Sequence, residues 1–336
     1  MNPQDVFSSM PVFAPSEEVL ESLDYTKPVS KLIWESTKKS HDAASQSGFA
    51  GRLLRGELPK EEYIYYMMIL WRIYRQVQAP IAYHPSLPPP TYRPTLLGRA
   101  TRISSDLAYL LDTTPDEWRS DPLFQSLISS PPRGVQSYTT YLEKLASSTD
   151  PTDHARLLSH AYVRYMGDLS GGQIIKTKMS KKFGLPAVGA GATFYDFGTL
   201  NGSLGPNEEH AGHAELLRIK DWFRQGMNEG VGDDKSLKEV IIREAHLAFA
   251  YNLLFFKDVS LPNQTTQTKE TKESKVVFDA SQEPQEQTYP LSSVVAVAMA
   301  LGLAHFALVV GGFTGSKGTD KLEALMLWLR RVMGHL

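Results

Sequence analysis

The chain has 336 residues, 42% of them hydrophobic and 21% charged, with a formal net charge of −2 and no cysteine. These values suit a globular domain with a substantial core plus appendages. A near-neutral balance excludes a general electrostatic drive toward nucleic acid or anionic membrane, and the missing thiols exclude disulfides, zinc–thiolate sites, iron–sulfur clusters and every thiolate-ligated metal centre.

Residues 1–19 read as a polar, disordered lead-in, broken by Pro3, Pro11 and Pro15 and without a basic-then-apolar signal peptide. From 20 to 258 the dominant period is helical. Leu32, Ile33, Thr37, His41, Ala44 and Gly48 fall along one face of a first helix, and Ile64, Met67, Met68, Trp71, Tyr74 and Val77 along a second over 61–79. Pro80 and the run from His84 to Pro90 end that helix in a loop. Further helices are expected near 95–111, 134–146, 152–182, 207–229 and 235–257. Alternating β-branched runs are scarce, so the expected fold is all-α, a single bundle-like domain.

Residues 259–290, rich in Thr, Gln, Glu, Lys and Ser, bury too little apolar area to fold and read as a linker. Leu291 to Phe313 contains no Asp, Glu, Lys or Arg, which is long enough for a transmembrane helix across a hydrocarbon core of ~30 Å. The tail, 314–336, carries Leu322, Leu325, Met326, Leu329, Val332 and Met333 at the spacing of an amphipathic helix. Lys317, Lys321, Arg330 and Arg331 follow the span, while Asp279, Glu283 and Glu286 precede it. Charge asymmetry alone would put the C-terminal side in the cytosol.

The most informative segment is His160 to Gln173. Its flanks, from Ala155, Leu157 and Leu158 to Ile174, Ile175 and Met179, are strongly helical in period, yet it contains Gly167, Gly171 and Gly172. Each glycine costs roughly 1 kcal/mol against alanine inside a helix, on the order of 3 kcal/mol together. Two compensations are open: another helix packs very closely there, or a flat ligand lies on bare backbone. Asp168 sits among the glycines, one turn after Arg164. On their own these two charges read as a solvated pair, although Tyr162, Tyr165, Met166 and Leu169 beside them argue against a fully exposed face.

The block Tyr165-Met166-Gly167-Asp168-Leu169-Ser170-Gly171-Gly172-Gln173 resembles the distal-helix signature of the heme oxygenases, and the resemblance extends over roughly residues 30–257. It implies that heme is both cofactor and substrate, cleaved with O2 at the α-meso carbon to biliverdin, ferrous iron and carbon monoxide. The family's proximal histidine corresponds to His41, in Thr37-Lys38-Lys39-Ser40-His41. Alone, a histidine on an apolar helical face is more often a core residue than a ligand. A neutral imidazole is nonetheless a good iron ligand. Mammalian members carry a carboxylate four residues later; here that position is Ser45, leaving the imidazole a weaker or water-mediated partner.

The resemblance further assigns catalytic roles to Asp168, acting through ordered water, to Arg164 and Tyr74 in its hydrogen-bond network, and to Gly167 and Gly171 as backbone against the heme. Propionate anchors would be Tyr162, Lys220 and Arg224, the last two within Ile219-Lys220-Asp221-Trp222-Phe223-Arg224 and one turn apart. A lysine that mammalian members place seven residues before the proximal histidine is Trp34 here, with Lys31 or Lys38 as substitutes. Phe249 and Asn252 match a helix at the heme edge, where core packing explains them equally well. No dinucleotide fingerprint follows a strand, so electrons come from outside; the family's donor is NADPH–cytochrome P450 reductase. This favours a cytosolic catalytic domain tail-anchored in the endoplasmic reticulum, the mitochondrial outer membrane being the alternative. Three other readings were open at this point. A non-enzymatic heme carrier or sensor would need His41 but not Asp168. A di-iron bundle is suggested by Glu208, Glu209, His210 and His213 but lacks its Glu-x-x-His helices. A tail-anchored scaffold leaves the glycines unexplained.

Overall fold

Local signals fix many of the helix ends in this chain, of which the computed structural model describes residues 3–83, 93–186, 190–202 and 210–259. The helices are α1 (Pro3–Ser9), α2 (Glu17–Glu21), α3 (Val29–Ser45), α4 (Gly48–Arg55), α5 (Lys60–Tyr83), α6 (Pro94–Leu97), α7 (Ala100–Leu110), α8 (Pro122–Ser129), α9 (Arg133–Ser147), α10 (Pro151–Asp168), α11 (Gly171–Phe183), α12 (His213–Val231) and α13 (Lys235–Asp258). Asp150 and Asp121 cap α10 and α8 through the backbone N–H groups of Thr152 and Leu123, each just ahead of a proline at the first helical position. Asp234 caps α13 and Ser47 caps α4. Gly56 and Gly184 close α4 and α11 in the left-handed region, where a side chain would be strained. Among the described residues the only non-helical pairing is an isolated bridge between Gly198 and His210.

Two long helices organise the core. α13 buries Ile241, Ile242, Ala245, Ala248, Tyr251 and Phe255 and packs against α3, α9 and α10. α5, buried from Tyr63 through Trp71 and again at Ile73, Tyr74 and Val77, packs against α7, α9 and α10. Apolar surface contributes about 25 cal/mol per Å² buried, and a buried aromatic covers ~150–250 Å². The stack of Tyr138 on Tyr251, with centroids 4.9 Å apart, and the Trp71–Trp118–Phe124 cluster are therefore main supports of the packing.

Three expectations are corrected. The lead-in expected to be disordered is ordered over its described residues, 3–19: Pro3–Ser9 is helical and Val6, Met10 and Phe13 are buried, packed with α13 and α3. The three prolines hid a buried i, i+4, i+7 triplet. The single helix expected over 152–182 is two, because Ser170 leaves the helical region (φ −123°, ψ −89°) between α10 and α11. Gly48 belongs to α4, not to the face of the first helix. Residues 260–290 of the linker, the span 291–313 and the tail 314–336 lie outside the described residues, as does the proline-rich loop from His84; within the described residues no helix is long and apolar enough to cross a membrane.

A stretch without regular structure is held as firmly as the helices. The buried Asp106 accepts from the backbone N–H groups of Gly191 (2.9 Å), Thr193 (2.8 Å) and Phe194 (2.7 Å) and from the Thr193 hydroxyl (2.7 Å). Fully buried Arg99 donates to the carbonyls of Leu96 (2.7 Å), Phe194 (3.0 Å) and Asp196. Together they fix the short 3-10 turn Thr193–Tyr195, and with it Tyr195, against α11.

Candidate active site

A cleft of about 170 Å³ opens where the helix break meets α3, α4 and α13. α10 and α11 contribute Val163, Arg164, Gly167, Asp168, Gly171, Gly172 and Ile175; α3 and α4 contribute His41, Ala44, Ser45, Ala50, Leu53 and Leu54; Tyr66, Tyr195, Phe249, Asn252 and Phe256 complete it. The three glycines separate into two kinds. A Cβ at Gly172 would come within 3.0 Å of the Tyr195 ring, so this glycine serves close packing. A Cβ at Gly167 would meet nothing within 4 Å, and at Gly171 only Leu54 at 3.9 Å. None of the three has a positive φ that would itself demand glycine. At Gly167 and Gly171 neither packing nor backbone conformation accounts for the lost helix propensity. What remains is a strip of bare backbone lining a cleft, which fits a flat ligand laid against it.

Beside this strip lies a buried polar network. The Tyr74 hydroxyl donates to Asp168 Oδ2. Arg164 Nη1 donates to Asn252 Oδ1 at 2.7 Å, and Asn252 Nδ2 to the Ala248 carbonyl at 2.7 Å. The Arg164 guanidinium also sits 5.2 Å from the Tyr74 ring centroid. Burial pushes the Asp168 carboxyl above the usual carboxylate range, against the pull of Arg164, the Tyr74 hydrogen bond and Arg99. Burial likewise pushes Tyr66 up to about 12, against the pull of the nearby Arg164 charge. Gln173 Nε2 donates to the carbonyls of Asp168 (3.1 Å) and Tyr195 (2.9 Å), tying the break to the 3-10 turn. The solvated-pair reading of Arg164 and Asp168 therefore fails, since both are buried.

His41 lines the same cleft but is not on the buried face where periodicity put it. Its side chain is 67% exposed, at the margin of a stripe formed by Leu32, Ile33, Thr37 and Ala44. Phe249 meets the imidazole edge-on, with centroids 6.2 Å apart. The hydroxyl of Ser45 donates to the Asp42 carbonyl of its own helix. The carboxylate near the imidazole comes instead from the next residue, with Asp42 Oδ1 3.3 Å from His41 Nδ1. His160 has no such freedom. It is fully buried, with Nε2 2.7 Å from Glu244 and Nδ1 3.1 Å from the Tyr138 hydroxyl, so it offers no free ligand nitrogen.

The expected anion anchors gather next to the break rather than inside the cleft. Lys220 Nζ donates to the Ser170 hydroxyl at 3.2 Å. Arg224 pairs with Asp221 at 2.9 Å, and Tyr162 lies close enough to act on its guanidinium. Burial, then the neighbouring Arg224, hold Lys220 below the ordinary lysine range. Trp34 is 64% exposed, and Lys31 and Lys38 are exposed on the same helix; none of the three lines the cleft. Sequence reasoning missed Leu54, Tyr66 and Tyr195. Only α4 announced itself, through the Ser47 cap, the apolar pair Phe49 and Leu53, and Gly56. Among the described residues no group of three or more His, Asp or Glu side chains could hold a metal ion by itself.

Residues 27–258 match the family model described as heme oxygenase. The chain belongs to the heme oxygenase family. It is similar to heme oxygenase 1 of Pongo abelii, 28% identical over 233 residues that make up 69% of this chain and 71% of the relative. It is also similar to heme oxygenase 2 of Rattus norvegicus, 29% identical over 258 residues, 75% of this chain and 72% of the relative. Among solved structures, heme oxygenase-1 of the cyanobacterium Synechocystis, in complex with heme, superposes with a TM-score of 0.54 at 26% identity, covering 70% of this chain and 93% of that one. The heme oxygenase of Leptospira interrogans shares the fold, with a TM-score of 0.55 at 24% identity. For a heme oxygenase, the bare strip at Gly167 and Gly171 has a ready occupant in the planar face of a porphyrin.

Proposed function

We propose that this heme oxygenase binds heme in the cleft, where His41 would hold the iron, and cleaves it at the α-meso carbon to biliverdin, ferrous iron and carbon monoxide. The observation that carries the reading is one juxtaposition: backbone without side chains at Gly167 and Gly171 beside a buried, hydrogen-bonded carboxylate at Asp168. A heme carrier would need the first feature but has no use for the second.

Bound heme supplies both the iron at which dioxygen is reduced and the carbon skeleton that is oxidised. The chain's own residues bind, orient and handle protons. Asp42 beside His41 Nδ1 favours the tautomer that carries its proton there, leaving the Nε2 lone pair for a metal. At such exposure this bond is screened by water, so the push on the ligand is modest. Tyr74 holds Asp168 at one oxygen, and Arg164, itself fixed by Asn252, lies over the Tyr74 ring. A carboxyl raised by burial and locked in place suits proton delivery through an ordered water. Lys220, Arg224 and Tyr162 would receive the two propionates in charge-assisted contacts.

Electrons come from a separate protein, for which NADPH–cytochrome P450 reductase is the proposed donor. The apolar run from Leu291 to Phe313 supports a tail anchor, in the endoplasmic reticulum on this reading, with the catalytic domain in the cytosol. Purified protein mixed with hemin, the reductase and NADPH should lose its Soret band and yield biliverdin in proportion to heme consumed. A stable Soret band under these conditions would leave the chain a heme carrier.

A further inference from the structure

Away from the heme cleft, and sharing no lining residue with it, a second cavity of about 420 Å³ lies between α5 and α8. It is lined by Trp71, Arg72, Arg75, Gln76, Arg119, Phe124, Gln125 and Ile128. Its floor is aromatic and firmly backed. Trp71 and Phe124 of the lining pack edge-to-face with each other and with Trp118 beneath them, at 4.6–5.5 Å, and Trp118 Nε1 is anchored on the Ser104 hydroxyl at 2.6 Å. Its rim is cationic. Arg72 and Arg75, three apart on α5, project from one helical face, and Arg119 joins them from the turn before α8.

Nothing in the lining balances these charges. Arg75 and Arg119 both hold their guanidinium groups 4.9 Å from the centroid of the Trp71 ring. Like charges gathered on one ring repel, and the negative faces of the indoles offset only part of that. Among the described residues none of the three arginines is in an ion pair. Arg72 and Arg119 each donate once to a backbone carbonyl, of Leu127 at 3.1 Å and Pro115 at 2.8 Å. Glu143, the carboxylate that acts on Arg72, is held by Gln76 Nε2 at 2.7 Å. Most of the guanidinium N–H groups are therefore left for a ligand. Planar forks of donors match carboxylate or phosphate oxygens, and the aromatic floor matches a flat apolar body.

We propose that this cavity is a binding site for a small organic anion, a carboxylate or phosphate carried on a planar apolar framework. The site is independent of heme turnover and stands or falls separately from it. The test uses the full-length protein in detergent with hemin present to occupy the heme cleft. Calorimetric titrations compare 2-naphthoate, 2-naphthyl phosphate and the neutral 2-naphthylmethanol, in wild type and in Arg75→Gln/Arg119→Gln. A normal Soret band in the double variant verifies its fold, and the single variants serve if the double one fails to fold. Saturable one-to-one binding of either anion, weakened at least tenfold by the substitutions and lost with the alcohol, is the expected result. No saturable binding, equal binding of the alcohol, or unchanged affinity in the arginine variants would overturn the proposal. An acidic peptide that binds more tightly than both naphthyl anions would also overturn it, by making this a protein-docking surface instead.

Discussion

The two sides of the heme cleft are built to different standards of rigidity. On the Asp168 side the polar groups are mostly buried and held: Tyr74 bonds Asp168, Asn252 bonds Arg164, Gln173 ties the Asp168 carbonyl to that of Tyr195, and the Asp106–Arg99 clamp holds Tyr195 behind Gly172. On the His41 side, the imidazole is mostly in solvent, with Phe249 at its edge and an exposed carboxylate beside it. The group proposed to steer the chemistry is preorganised, at the cost of burying a carboxylate. The group proposed to bind iron is left free to adjust, and coordination would order it. Removing a residue from the His41 side should therefore act on ligation, while removing one from the Asp168 side should act on the course of the reaction.

The largest effect is expected at His41. His41→Ala should abolish turnover while hemin still enters, and added imidazole should restore a histidine-like ferrous spectrum with some activity; normal turnover would end the ligand assignment. Asp168→Ala should bind hemin nearly as wild type but lose biliverdin formation by about 10²–10⁴-fold, the usual range for a positioned acid or base. Peroxide-driven oxidation of guaiacol should rise in its place. A normal biliverdin yield would show that the buried carboxyl is only structural. Next comes Lys220→Glu/Arg224→Glu, expected to weaken hemin binding about tenfold or more through lost charge-assisted contacts and to release biliverdin isomers other than α. Pure α isomer at unchanged affinity would remove both residues from propionate binding.

A smaller effect concerns the helix that carries His41. The residue before it, Ser40, bonds the buried His246 on α13 at 3.1 Å, and burial pushes that imidazole down from 6.5 to about 4. The unfolded chain then takes up the proton first as pH falls. This contribution to stability is fully present above about pH 6.5 and is lost on acidification toward about pH 4, on the order of 3 kcal/mol in total. Asp106, pushed up to about 6 by burial, works in the opposite sense over an overlapping range, so the comparison must be between variants. Urea denaturation of wild type and His246→Gln from pH 4 to 7 should give a shallower acid loss in the variant. Parallel curves would mean that His246 does not titrate as its burial implies.

Much of this architecture was legible because it rests on local periodicity. Apolar spacing located α3, α5, α9, α12 and α13, and the glycines with Asp168 marked a segment that the structure places along the cleft. Features set by non-local packing were not legible. The pattern from Ala155 to Met179 runs unbroken across the α10–α11 break, because Leu169 stays helical and only the backbone of Ser170 departs. Residues 1–19 read as a lead-in because three prolines interrupt a mostly polar stretch, although Val6, Met10 and Phe13 are core. His41 shares the apolar period of α3 but sits at its margin, where the helices packed against α3 bury Thr37 and Ala44 and leave the imidazole exposed. Tyr66 and Tyr195 reach the cleft only through the packing of α5 and the Asp106 clamp.

The comparison of the two sides and the proposed activity both rest on the claim that the bare backbone at Gly167 is a surface for heme. Gly167→Leu isolates that claim, because the added side chain has open space at its root and belongs to a good helix former. The decisive measurement is a hemin titration of this variant, followed at the Soret band, beside the thermal unfolding of the heme-free protein. The account predicts an apoprotein at least as stable as wild type and a hemin affinity at least tenfold weaker. A variant that binds hemin as tightly as wild type and still turns it over would contradict it.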